Sequence, residues 1–427
     1  MPRLIPLLML IALLLVLRPA AAQDTPEPIP DALPLVDEAG QDIVNILLMG
    51  SATSNPANPG LSDSLLIVSV NRTAGAVSVV SIPRDLYVYQ PGQGMYKINT
   101  AYYYGETQAL PGGGWALLLD TIRYNLGLEI DFYARVNFDG FRELIDLIGG
   151  IEITVDCALR DWRLKSPELD PQDAANWERF TLEAGRWTMD SDLALWYVRS
   201  RKTSSDLDRG RRQQDVLRAV WRKLKTDGRL EQIPALWESF GRILTTNLTL
   251  PDVLGMAPLA LSLDTADVEY YLFRQKHEVQ NALSPAGQQV LQPIREGVQA
   301  LMQNVVHPPG ASRARTPHPT VWVVDAGAGA DMTAVAADRL ELEGLRTMVL
   351  DETSAYREFS HVVDYSGATK GSPLERIQRV LRVTDDGVEI TPDAAREVDF
   401  KVYVGEQYRY WSCTRDVIQP TPDPPSG

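Results

Sequence analysis

The sequence predicts an α/β protein, a central sheet covered by helices, followed by a second small α/β domain. Three observations carry that reading. Short apolar runs end in glycine or turn residues, as buried strands do. Segments with helical spacing interleave with those runs. A Pro/Gly-rich break then separates a long N-terminal part from a short C-terminal one. The 427 residues are 44% apolar and 23% charged, which is ordinary globular composition and enough for two or three domains.

In chain order, Arg3, the apolar run Leu4 to Leu17 and Ala20-Ala21-Ala22 have the layout of a signal peptide cleaved after Ala22. An uncleaved anchor is the alternative, although the run is shorter than the roughly 20 residues that span a bilayer. Residues 23–41, rich in Pro, Asp and Glu, read as a flexible spacer. Asn45 to Met49, Leu65 to Val70 and Ala76 to Ile82 read as strands, with a turn at Asn71 to Gly75. Trp115 to Tyr124 and Asp139 to Ile148 are expected helices, the second stopped by Gly149-Gly150. Ile151 to Val155 alternates like a strand, and Tyr197 to Lys202 is expected to be strand-like. Asp206 to Lys225 reads as a helix, and a mostly helical stretch is expected as far as Val306. The first domain is placed at 42–306, a linker at 307–318, the second domain at 319–406 and a Pro-rich tail at 407–427.

The formal net charge of −15 opposes a nucleic-acid surface, which needs a basic stripe. Against that acidic background, arginine and lysine concentrate between Arg199 and Arg212. In a strand-like segment Arg199 and Arg201 share a face, and on a helix Arg209 and Arg212 do. Guanidinium forks match phosphate oxygens and keep their charge, and a helix N-terminus adds to the field. Arg84, in Ser81-Ile82-Pro83-Arg84-Asp85, follows a buried strand at its carboxyl end, where open α/β sheets bind ligands. These segments together read as a pyrophosphate clamp; a solvated basic loop is the alternative. Asp63, in Ser62-Asp63-Ser64, is either a magnesium ligand or a turn aspartate. With four histidines, none in these segments, and no GxSxG or HExxH, serine–histidine and zinc mechanisms are not expected. Cys157 and Cys413 fit no metal motif; they can pair or stay as thiols.

The order Asn45-Ile46-Leu47-Leu48-Met49-Gly50, Ser62-Asp63-Ser64, Ser81-Ile82-Pro83-Arg84-Asp85, Lys97-Ile98-Asn99-Thr100-Ala101, Tyr197-Val198-Arg199-Ser200-Arg201 and Asp206…Arg209…Arg212-Gln213-Gln214 resembles the LytR-CpsA-Psr family. The likeness spans about residues 42–306, and residues 319–406 resemble the small C-terminal domain that often follows. The resemblance implies a three-layer α-β-α sandwich with a central mixed sheet and an apolar tunnel. It also implies an extracytoplasmic phosphotransferase that moves a glycopolymer from a polyprenyl-pyrophosphate carrier to a cell-wall hydroxyl at the membrane surface. By motif position, Arg84, Arg199, Arg201, Arg209, Arg212 and Gln213 would hold the pyrophosphate. Asp85, Lys97 and Asn99 would support it, Asp206 would serve the acceptor hydroxyl, and Asp63 would bind magnesium. Ala52 and Leu61 stand where the family usually has aspartate and often arginine, which weakens the metal half. Hydrolysis of the carrier, or non-catalytic capture of a lipid-linked glycan, are the alternatives.

Overall fold

The computed structural model describes residues 28–53, 58–201, 206–229, 233–263, 267–308, 318–367, 373–411 and 413. The predicted signal segment lies outside them. The central sheet has six strands in the order Leu244–Thr246, Phe132–Asn137, Ile43–Ser51, Ser62–Asn71, Ala76–Ile82, Val268–Leu272. Ile43–Ser51 runs antiparallel to Ser62–Asn71 and parallel to Phe132–Asn137, so the sheet is mixed.

Alternation along these strands sends side chains to two faces. Leu47, Met49, Leu65, Ile67, Val80 and Ile82 go to one face, where they pack with residues of the helices Gly113–Leu126 and Arg295–Val306. Val44, Ile46, Val70 and Val77 go to the other, against Trp221, Met256 and Leu259. Helices on both faces complete the three layers. A separate apolar cluster joins Ile145, Ile151, Tyr197, Val216 and Ala219 beyond the sheet.

The C-terminal part has its own five-stranded sheet and its own core, including Val323, Ala336, Leu340, Phe400 and Val402. It is fastened to the first unit by buried charge. The Asp338 carboxylate accepts hydrogen bonds from Arg218 (2.6 Å), Arg222 (2.9 Å) and Thr154 (2.7 Å). Cys157 and Cys413 form a disulfide, which resolves the pairing the sequence left open.

Four expectations need correction. Ser191–Arg199 is a helix, not a strand-like segment; Asp190 caps it by accepting from the Leu193 N–H (2.8 Å). The stretch before Val306 is not mostly helical, because Val268–Leu272, Val279–Leu283 and Gln289–Pro293 are strands. The spacer is docked from Pro30 onward: the Pro30 carbonyl accepts from the Tyr124 hydroxyl (2.8 Å), and Leu33 is buried with its N–H donating to the Tyr124 carbonyl. The tail does not begin at 407, since Tyr408 is fully buried in the second core and Cys413 is bonded. In the last two cases long-range partners override a local composition that looks disordered.

Candidate active site: an arginine-lined mouth on an apolar cavity

Pro83 ends strand Ala76–Ile82 and leaves Arg84 at its carboxyl end. The backbone there is fixed by Ile98 N–H to Leu86 O (2.8 Å) and Asn99 N–H to Arg84 O (3.3 Å). Arg84 is 3.7 Å from Asp63 and 3.6 Å from Asp85; Lys97 donates to Asp85 at 2.8 Å. Lys97 and Asp85 therefore form a charged cluster with Arg84, and Asn99, whose N–H donates to the Arg84 carbonyl, is buried.

Helix Asp206–Thr226 crosses the same strand end at Gly210. A Cβ there would stand 2.5 Å from the Ser81 hydroxyl, so only glycine permits the approach. The crossing sets Arg209 and Gln213, one turn apart on the helix, beside Arg84. Asp63, Ser64, Ser81, Arg84, Arg209 and Gln213 line one small recess. Arg209 is buried, and its guanidinium reaches the Asp63 carbonyl at 3.4 Å.

Asp63, Ser64, Arg209 and Gln213 also line a much larger cavity of about 1230 Å³. Most of its wall is apolar, with Leu48, Leu66 and Val136 from the sheet and Phe141, Val216 and Val220 from the helices, while Arg142, Asp190 and Asp192 also line it. Arg199 and Arg201 stand at its rim. Arg199 closes its helix with its guanidinium 4.2 Å above the centre of the Phe138 ring. Burial holds Arg199 below its ordinary pKa, and Asp63 opposes that shift while Arg142 and Arg201 add to it.

Not every predicted ligand reaches the cavity. Arg212 is buried and donates to the carbonyls of Tyr197 and Ser200, the latter at 2.6 Å, so it ties the helix to the turn that presents Arg199 and Arg201. Its neighbour Arg211 is held by Asp156 (3.0 and 3.1 Å), Asp208 (3.3 Å) and Asp215 (3.7 Å). Much of the basic concentration is thus structural. Asp206 opens the helix, and its side chain lies outside the described residues.

Sequence reasoning missed Asp161. Its carboxylate accepts from the Ser200 hydroxyl (2.8 Å) and the Arg201 N–H (2.7 Å), fixing the turn between the two rim arginines. No motif flags it, because the partners are about forty residues apart in sequence.

A magnesium ion in the small recess would have Asp63 as its protein carboxylate, with water and the substrate's own phosphates completing its shell. Asp63 is the only carboxylate lining the small recess, and it faces Arg84. Among the described residues no group of three or more His, Cys, Asp or Glu could hold a metal.

Residues 20–300 match the LytR_cpsA_psr family. The chain belongs to that family. It is 32% identical over 238 residues to the polyisoprenyl-teichoic acid–peptidoglycan teichoic acid transferase TagT of Bacillus subtilis (54% of this chain, 68% of that one). It is also 32% identical over 212 residues to the transferase TagU of Oceanobacillus iheyensis (49% and 60%). The chain thus spans about three fifths to two thirds of these relatives' own length. Among solved structures, that of B. subtilis TagV superposes with a TM-score of 0.50 at 22% identity, covering 62% of this chain and 97% of that one, a likeness of fold.

Proposed function

We infer that this LytR_cpsA_psr chain is a glycopolymer phosphotransferase that works on a polyprenyl-pyrophosphate carrier. One observation carries the reading: a largely apolar cavity of about 1230 Å³ is lined by Arg199, Arg201 and Arg209 and shares Asp63, Arg209 and Gln213 with the recess that holds Arg84. An apolar chain and a dianionic headgroup are the two halves of such a carrier. The relatives' names, teichoic acid transferases acting on peptidoglycan, support the same class.

In this reading the acceptor hydroxyl oxygen attacks the glycan-side phosphorus. The bond from that phosphorus to the bridging oxygen breaks, and polyprenyl phosphate leaves as a phosphodiester forms. Phosphoryl transfer asks mainly for positioning and for cations where charge gathers on oxygen. Arg84 and Arg209 are proposed to hold the phosphates, with Gln213 beside them and Arg199 and Arg201 closing the rim. Asp85 and Lys97 keep Arg84 in place, Arg212 anchors the rim turn, and Asp206 is proposed to take the hydroxyl proton. No step is routed through magnesium. Wall polymer is the proposed acceptor, and the outer face of the cytoplasmic membrane the proposed site of action. No helix among the described residues is long and apolar enough to cross a membrane.

The test is Arg84→Ala and Arg209→Ala, assayed for transfer of a carrier-linked glycan to peptidoglycan. Removing one preorganised cationic donor should cost about a hundredfold or more in turnover, with folding intact by circular dichroism. Wild-type-like turnover in both variants would overturn the assignment.

A further inference from the structure

The hairpin Leu159–Leu164/Trp177–Leu182 stands at the headgroup end of the cavity, and the transfer step uses none of its aromatic side chains. Trp162 lies opposite Arg179 and Leu164 opposite Trp177 in the antiparallel register, so these four share one face. The other face is consumed in packing. Phe180 meets Trp196 edge-on at 5.0 Å, and Arg163 sits 3.8 Å from the centre of the Phe180 ring. Asp161 binds the Ser200–Arg201 turn, so the hairpin is anchored to the rim arginines themselves.

Both tryptophans line the cavity, yet Trp162 remains 44% exposed. A guanidinium, that of Arg179, lies 5.5 Å from the centre of its ring. The Trp162 carbonyl accepts from the Trp196 indole N–H (2.9 Å), and the Trp177 indole N–H donates to the Pro171 carbonyl (3.1 Å). The backbone under one ring and the orientation of the other are therefore fixed before any ligand arrives. An isoprenoid wall would enclose such rings, as the deeper wall of Leu48, Leu66 and Val220 does. A broad aromatic face with water on one side and cations near its edge suits a pyranose instead, whose C–H face stacks while its hydroxyls stay solvated.

We propose that the Trp162–Trp177 face of this hairpin is a saccharide subsite beside the pyrophosphate clamp. The proposal rests on the transferase reading, and the sugar it holds belongs either to the donor or to the acceptor. The test uses Trp162→Ala and Trp162→Phe in the full chain. Three measurements are made: affinity for bare undecaprenyl pyrophosphate, affinity for undecaprenyl pyrophosphate bearing N-acetylglucosamine, and KM for lysozyme-solubilised peptidoglycan. Loss of one stacking partner should weaken a sugar-bearing ligand about tenfold, with phenylalanine restoring most of it. A defect confined to the glycosylated carrier assigns the donor sugar; one confined to the peptidoglycan KM assigns the acceptor. Equal weakening of both carriers would make the face a lipid wall and overturn the proposal, as would no change in any arm. Wild-type binding of the bare carrier, lost in Arg84→Ala, reports on the pyrophosphate clamp by itself, so failure of the subsite and failure of the clamp give different results.

Discussion

Replacing Asp338 with alanine leaves the fully buried guanidinium of Arg218 with Asp215, 3.4 Å away, as its remaining carboxylate among the described residues. Burial works to raise the Asp338 pKa, but Arg218 and Arg222 outweigh it and bring the group down from 3.8 to about 2. A displacement of that size corresponds to about 2 kcal/mol of stability at neutral pH. Orphaning the partner adds to it, since breaking a buried pair costs about 3–5 kcal/mol. Urea unfolding followed by tryptophan fluorescence measures the loss. The double variant Asp338→Ala/Arg218→Met should lose less than the two single losses together, with a coupling of about 1 kcal/mol or more. The pH dependence follows by sign. A depressed carboxylate contributes stability above its unfolded pKa, lost as pH falls from about 4 toward 2. Asp215 acts oppositely: burial, against Arg211 and Arg218, pushes it up to about 6, so its contribution is full below 4 and fades as pH rises through 6. Asp338→Asn should therefore flatten the acid limb below pH 4 and, because the Asp338 charge helps to raise Asp215, move the titration near pH 6 downward. A single-variant loss under about 1 kcal/mol, or strict additivity, would refute the reasoning.

Three further outcomes are expected. Asp161→Asn weakens its grip on the Ser200–Arg201 turn and should raise KM for the carrier about tenfold with little loss of stability, as a charge-assisted hydrogen bond at the rim would; an unchanged KM contradicts the positioning role. Val220→Trp, which fills part of the cavity, should weaken a long-chain carrier about tenfold while inorganic pyrophosphate binds as before; equal loss of both ligands would detach the cavity from lipid binding. Cys413→Ser opens a loop whose ends are 256 positions apart and should lower unfolding stability by up to about 5 kcal/mol; a urea midpoint matching wild type refutes the constraint.

The parts legible in the sequence are those set by local pattern. Buried strands showed as apolar runs, Arg84 was placed by Pro83 at a strand end, and the helix carrying Arg209 showed its apolar stripe at Val216 and Val220. Tyr197-Val198 looked like a strand because aromatic and β-branched residues favour one; the Asp190 cap and the burial of Ala194, Leu195 and Tyr197 make it a helix instead. The division of labour among the arginines was not legible. Arg209 faces the recess while Arg211 and Arg212 hold the fold, a difference decided by Asp156, Tyr197 and Ser200, which no spacing on the helix announces. Gly210 carried a signal in hindsight: a buried glycine within a polar helix marks a close crossing.

The salt bridges of Asp338 bear on how such proteins can be recombined. A C-terminal unit that plugs a buried carboxylate into Arg218 and Arg222, on the same helix that presents Arg209, is not an interchangeable cassette. Grafting this unit onto another relative, or removing it, would have to carry the arginine pair and Thr154 along or replace all of them with apolar residues. The graft boundary therefore runs through the helix of Arg209, Arg218 and Arg222 and not through the linker.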